Sequence, residues 1–177
     1  MSMVEPQLVS STAHKTPGAT NEWETPKKLF EALKSKFGIV FDAAASPHNA
    51  KCNCYFSTEN GENALDMDWR VPTFLRTAGA QSIFVNPPYG RGIGAWIKKA
   101  YEESRKGATV VVLVFCRTDT KWWHDYAMKA SELLLIKGRV KFERDGVPQQ
   151  SAPAPSCVLV FTPWSEGPPV TRAFSYE

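Results

Sequence analysis

Ser82-Ile83-Phe84-Val85-Asn86-Pro87-Pro88-Tyr89-Gly90 is an apolar run cut short by an amide, two prolines, an aromatic ring and a glycine. Such a run ended by turn residues reads as a buried strand emptying into a loop. The loop is stiff, because both prolines have a fixed φ and lack an N–H. Pro87 also pushes Asn86 toward an extended conformation. A side-chain amide, two unpaired backbone carbonyls and a ring are thereby held at the carboxyl end of a strand, where open α/β sheets bind their ligands.

A planar ligand with an exocyclic amino group suits that corner. The Asn86 side-chain oxygen and the Pro87 carbonyl can both accept from one NH₂, while Tyr89 stacks on the ring that carries it. Two acceptors draw the amine lone pair out of ring conjugation and make it a nucleophile. The bland alternative is a proline-terminated strand, with Asn86 capping a turn and Tyr89 on the surface.

Upstream, Thr25 followed by Pro26 reads as a helix N-cap with proline at the first helical position. Leu29, Phe30, Leu33 and Phe37 follow at helical spacing, and Gly38 ends the helix. Gly38 to Phe41 reads as a short buried strand leading into Asp42-Ala43-Ala44-Ala45-Ser46. Small residues there let a ligand approach the backbone, and a carboxylate can accept from a ligand amine or hydroxyl. Asp42 capping a following helix is the alternative, with Pro47 to Lys51 expected as a short helix. Cys54 to Ser57 is expected as a short strand, Thr58 to Asn63 as a loop, and Val71 to Gln81 as a connector.

Downstream, Gly90 to Gly94 reads as a flexible segment that can admit a phosphate beside Arg91. Ala95 to Lys106 reads as an amphipathic helix with Trp96, Ile97, Ala100 and Tyr101 inward. Ala108 to Cys116 is the most continuous β-branched run and suits a strand covered on both faces. Thr118 or Asp119 is expected to cap the next helix, which runs to about Lys129. Glu132 to Ile136 and Ser156 to Phe161 read as strands, Asp145 to Pro155 as a mobile loop, and Pro163 onward as a tail of turn residues. Arg117, Lys121, Arg139 and Lys141 are candidates for nucleic-acid phosphate contacts; solvated surface charges are the alternative.

The chain has 177 residues, 43% apolar and 22% charged, with a net charge of +3. That suits one ordinary globular domain and permits nucleic-acid binding without demanding it. We expect a loosely attached arm over residues 1–20, a single domain over 21–165 and a C-terminal tail over 166–177. No apolar run is long enough to span a membrane and no signal-peptide pattern opens the chain, so a cytoplasmic location is expected. Of the four cysteines, Cys116 and Cys157 sit in apolar runs. Cys52 and Cys54 with His48 lack zinc-site spacing, so no metal is expected.

Asn86-Pro87-Pro88-Tyr89 resembles the catalytic motif of amino-group methyltransferases that use S-adenosylmethionine. With Trp23-Glu24-Thr25-Pro26, Phe41 to Ser46, Asp68-Trp69, Arg117 to Trp122 and Gly138 to Phe142, the chain is similar to the phage-type DNA N6-adenine methyltransferases from about Asn21 to Pro163. The resemblance implies a three-layer Rossmann-like methyltransferase fold, mostly parallel with one late antiparallel strand. It implies catalysis by Asn86, Pro87, Pro88 and Tyr89. It assigns the methyl donor to Trp23, Thr25, Pro26, Asp42, Ala44 and Ser46, with Asp68 and Trp69 cradling the donor's adenine. A core Trp69 beside a surface Asp68 is the alternative. No separate target-recognition domain is visible, so selectivity falls to loops 91–94, 117–123 and 139–151.

The reaction implied is methyl transfer to N6 of a DNA adenine flipped from the duplex, without a metal. RNA adenine, cytosine N4 or a protein glutamine amide share the amine-acceptor logic. A catalytically silent nucleic-acid-binding module is the rival from another class.

Overall fold

The computed structural model describes residues 23–69 and 82–177. The expected arm, Asn21-Glu22 and the connector 71–81 lie outside them. The described residues build a seven-stranded sheet in the order β2-β1-β3-β4-β8-β5-β9. Its strands are β1 (Ile39–Asp42), β2 (Cys54–Tyr55), β3 (Ser82–Val85), β4 (Thr109–Phe115), β5 (Glu132–Ile136), β8 (Ser156–Phe161) and β9 (Val170–Phe174). The intervening β6 (Glu143–Arg144) and β7 (Val147–Pro148) form a separate two-stranded ribbon. Every pairing in the large sheet is parallel except the two made by β8, against β4 and β5. This is the mostly parallel, three-layer α/β arrangement with one antiparallel strand that the sequence implied.

Strand alternation sends side chains to opposite faces, and the two faces carry different helices. Phe84, Val111, Leu113, Val158 and Val160 face α1 (Lys27–Phe37), which contributes Leu29, Phe30 and Leu33. Ile83, Val85, Val110, Val112, Val114, Leu159 and Phe161 face the other way, toward Ile97 and Ala100 of α2 (Ile93–Arg105). The short α3 (Lys121–Asp125) packs on the α2 side through Trp123. A Cβ added at Gly94 would stand 3.2 Å from the Trp122 side chain, so glycine lets the start of α2 approach α3 closely.

Several local expectations are corrected. Thr25 does not cap α1: Pro26 occupies the cap position, and its carbonyl accepts from Phe30 N–H at 3.0 Å. Gly38 does end the helix, left-handed at φ 63°. Residues 47–51 form turns rather than a helix, and the strand expected over 54–57 pairs only at Cys54–Tyr55. Thr120, not Thr118 or Asp119, precedes α3, and the helix expected to reach Lys129 breaks into α3 and a 3₁₀ turn, Ala127–Lys129.

The loop expected to be mobile, Asp145 to Pro155, is tied down at both ends. Asp145 and Gly146 adopt positive φ, 51° and 74°, and make the tight turn between β6 and β7. That left-handed pair matches the twist of a two-stranded ribbon and favours Asp-Gly. Ala152 and Ala154 then return to the core beneath Phe142. The expected tail is corrected too, since Val170–Phe174 adds β9 to the sheet beside β5.

Candidate active site

β1 and β3 are parallel neighbours, and the sheet continues from β1 to β2 on one side and from β3 to β4 on the other. The chain exits at their carboxyl ends therefore part, leaving the crevice in which α/β sheets bind ligands. A cavity of about 250 Å³ lies there. Residues 42–46 after β1 form one wall and Asn86-Pro87-Pro88 after β3 another. Trp23, Glu24 and Thr25 close it from the segment before α1, and Glu59, Glu62 and Trp96 line it as well.

A hydrogen bond from its side-chain amide sets the orientation of Asn86. Its Nδ2 donates to the main-chain carbonyl of Trp23. Among the described residues its buried Oδ1 has no hydrogen-bond partner. A buried acceptor without a donor is costly, by about 1–3 kcal/mol. Thr25 Oγ1, also on the cavity wall, is buried and unpartnered in the same way. Both atoms suit a ligand bearing N–H or O–H groups.

Trp23 is held in turn. Its ring meets Phe142 edge-on at 5.8 Å. The next residue, Glu24, forms an antiparallel bridge with Glu143 at the base of the β6–β7 ribbon, through bonds of 3.1 and 2.9 Å.

Asp42 anchors the opposite wall. Its Oδ1 accepts from Ala44 N–H at 3.2 Å and its Oδ2 from Lys51 N–H at 3.1 Å, which folds residues 42–51 into a compact loop without a helix. Asn49 Oδ1 accepts from Ser46 N–H at 2.7 Å within the same loop. Burial pushes the Asp42 carboxyl up to about 6, against the pull of those two backbone N–H groups and of Lys51. A cationic ligand group would relieve that desolvation.

Trp23, Thr25, Asp42, Ala44, Ser46, Asn86, Pro87 and Pro88 are thus brought together around one cavity. Four expected residues are not on its wall. Pro26 is buried at the start of α1. The Tyr89 ring stacks on Phe115 at 4.2 Å and meets Phe142 edge-on at 5.9 Å, with its buried hydroxyl unpartnered. Here Tyr89 braces the corner from within the core. Gly90, at φ 145°, then takes a backbone conformation that side chains rarely adopt.

Asp68 is exposed, and Trp69 is a core residue. Trp69 Nε1 donates to the Ala64 carbonyl at 2.6 Å, and its main-chain N–H donates to Glu103 Oε2 at 3.1 Å. Its ring backs Trp96 at 6.2 Å, so it is Trp96 that reaches the cavity.

Glu24, Asn49, Glu59, Glu62, Asn63 and Trp96 line the cavity without having been singled out from the sequence for the site. A signal existed for two of them. Glu59 and Glu62 follow the carboxyl end of β2, about where nucleotide-binding folds of this kind place a carboxylate for ribose hydroxyls. Ser57 and Glu62 fix that turn: Ser57 Oγ accepts from Glu59 N–H at 3.1 Å, and Glu62 Oε2 accepts from Ser57 N–H at 3.3 Å.

The profile of the DNA N-6-adenine-methyltransferase (Dam) family matches residues 12–176. The chain belongs to that family. The DNA N-6-adenine-methyltransferase of Haemophilus phage HP1 (strain HP1c1) is 25% identical over 146 residues, covering 80% of this chain and 78% of its own. YfdM of Escherichia coli (strain K12), whose name marks it as a candidate methyltransferase, is 34% identical over 84 residues, 47% of this chain and 87% of its own. Methylation of adenine in DNA, the family's reaction, is accordingly the reaction of this methyltransferase.

The five candidate DNA-contacting cations of the methyltransferase stand on the cavity's side of the sheet. Arg91 follows β3, Arg117 and Lys121 follow β4, and Arg139 and Lys141 follow β5. These three strands point the same way, because β8 runs antiparallel to both β4 and β5. All five residues are exposed. Lys121 pairs with Asp125, and Arg139 Nη1 donates to the Ala152 carbonyl at 3.4 Å. Among the described residues no group of three or more His, Cys, Asp or Glu is placed to hold a metal, and no helix is long and apolar enough to cross a membrane.

Proposed function

We propose that the cavity between β1 and β3 binds S-adenosylmethionine, and that a flipped adenine presents its N6 amine to Asn86. The observation that carries this reading is the Asn86 amide, whose donor end is engaged by Trp23 and whose buried acceptor end is free. S-adenosylmethionine supplies an electrophilic methyl on a sulfonium, so this chemistry asks the protein chiefly for alignment. Asn86 Oδ1 and the Pro87 carbonyl accept the two N6 protons and turn the lone pair away from the purine ring.

The donor set fits the wall residues. Ala43, Ala44 and Ala45 leave the backbone accessible, Asp42 offers a charge to the donor's cationic end, and Thr25 Oγ1 offers an unpartnered hydroxyl. Glu59 and Glu62 suit the ribose hydroxyls. Trp96, braced by Trp69, offers a face to the donor's adenine in place of the expected Asp68-Trp69 pair. The exposed cations after β3, β4 and β5 hold DNA phosphates on the same side as the cavity. Stacking of Tyr89 on the target base would require its ring to leave Phe115, so in the conformation described the amide and not the tyrosine defines the base site.

Calorimetric titration with S-adenosylmethionine tests the donor half. Wild type should bind it, and Trp96→Ala should bind about tenfold more weakly, as expected for a lost base–aromatic stack. Unchanged affinity in Trp96→Ala would remove the donor from this cavity. Nucleoside analysis of treated DNA should show N6-methyladenine alone; N4-methylcytosine would redirect the amine assignment.

A further inference from the structure

Glu24 is joined on one side to the ribbon and on the other to the catalytic corner. Its carboxylate Oε1 accepts from the main-chain N–H of Asp145, at the ribbon tip, at 2.9 Å. Its backbone exchanges two hydrogen bonds with Glu143 at the ribbon base. The residue before it, Trp23, supplies the carbonyl to which Asn86 Nδ2 donates. Among the described residues, that carbonyl is the group that tells the two ends of the Asn86 amide apart.

We propose that Glu24 is a positioning residue: it locks residues 23–24 onto the β6–β7 ribbon and thereby sets the direction of the Asn86 acceptor. The assignment rests on the reading of Asn86 as the group that takes the adenine amine. Two points of geometry support it. Asp145 and Gly146 form a turn with two successive positive φ values, so the Asp145 N–H presented to Glu24 has a defined direction. The ribbon is otherwise exposed, and its strands are two residues each, too short for an independently stable hairpin. The bridge to Glu24 therefore helps order it, and the ribbon and the Trp23 carbonyl order one another.

Glutamine at position 24 keeps an oxygen for Asp145 N–H, whereas alanine removes it. Gly146→Val disrupts the same contact from the other side, since φ 74° strains any side chain there although nothing lies within 4 Å of the added Cβ. Glu24→Ala and Gly146→Val should each lower kcat by about 10–100-fold, the scale expected for an ångström-sized misplacement. In Gly146→Val, whose residue lies off the cavity wall, the dissociation constant for S-adenosylmethionine should stay within about twofold of wild type. The double variant should be no worse than the poorer single, as for two groups acting through one contact. Glu24→Gln should restore most of the kcat lost in Glu24→Ala.

A second readout needs no turnover. The side-chain amide signal of Asn86 in a ¹⁵N–¹H spectrum should move in Glu24→Ala and Gly146→Val and hold its place in Glu24→Gln. Wild-type kcat in Glu24→Ala would overturn the proposal. So would equal loss in Glu24→Gln and Glu24→Ala, which would assign the carboxylate charge directly to a ligand. Asn86→Ala separates the two readings: if it stays fully active, the amine-acceptor assignment itself fails, whereas an inactive Asn86→Ala beside a fully active Glu24→Ala rejects only the role of Glu24.

Discussion

An asparagine amide has a donor end and an acceptor end; in Asn86 the donor end is engaged by the Trp23 carbonyl and the buried acceptor end is free among the described residues. Tyr89 shows the contrary arrangement, a buried hydroxyl with nothing to bond, in a ring held by Phe115 and Phe142. Tyr89→Phe removes that unpaired group and keeps the ring, so it should raise stability by about 1 kcal/mol in urea unfolding. Tyr89→Ala should instead cost about 3–5 kcal/mol through the cavity it leaves. Asp42 predicts a pH dependence. Its folded-state pKa of about 6 lies above the ordinary 3.8, so the ionised form is disfavoured by folding. Its contribution to stability is greatest below about 4 and is lost as pH climbs through about 6. A cationic donor reverses the preference, because it binds the ionised form. Affinity for S-adenosylmethionine should therefore be full at pH 7.5 and about tenfold weaker at pH 5, where some nine-tenths of Asp42 is protonated. Asp42→Asn should flatten that dependence, as calorimetry at the two pH values would show.

Among the elements, α2 carries a buried and paired carboxylate. Glu103, fully buried, receives Lys99 at 2.6 Å, Lys106 at 2.9 Å and the Trp69 N–H at 3.1 Å. Desolvation raises its pKa, but these hydrogen bonds outweigh burial and hold it below the ordinary carboxylate range. Glu103→Ala should cost about 1–3 kcal/mol in urea unfolding, the scale for leaving the buried Trp69 N–H unpaired, since Lys106 is about half exposed to water. The stability this carboxylate contributes is present at neutral pH and is lost in acid as it protonates. Elements were legible where one pattern ran long enough. The valine-rich β4 and the period of Leu29, Phe30 and Leu33 needed no tertiary context. The β6–β7 ribbon was missed because its strands are only two residues long, and Asp145-Gly146, the clearest local signal, sat among Pro and Gln residues that read as loop. β9 was missed because its residues are largely exposed and follow Gly167-Pro168-Pro169; only pairing with β5 makes them a strand.

At the scale of the whole molecule, parallel strands gather distant loops onto one side. The Asn86-Pro87-Pro88 wall of the cavity was readable because it is continuous in sequence, and the Asp42 loop because small residues follow a strand. Trp96 was not readable as a cavity residue. Trp69 and Trp96 are both tryptophans beside charged residues, and only their packing, one behind the other, decides which reaches the cavity. The pair predicts a contrast: Trp69→Ala should lower the unfolding midpoint more than Trp96→Ala does, the reverse of their ranking in donor affinity. The same topology makes Glu24, separated from Asn86 by 62 positions in the chain, its neighbour through Trp23. The most direct measurement is single-turnover methyl transfer to DNA by Asn86→Ala, taken with its dissociation constant for S-adenosylmethionine. A rate lowered at least a hundredfold, as for loss of a preorganised transition-state contact, with donor affinity unchanged is the expected result. Transfer at the wild-type rate would contradict it.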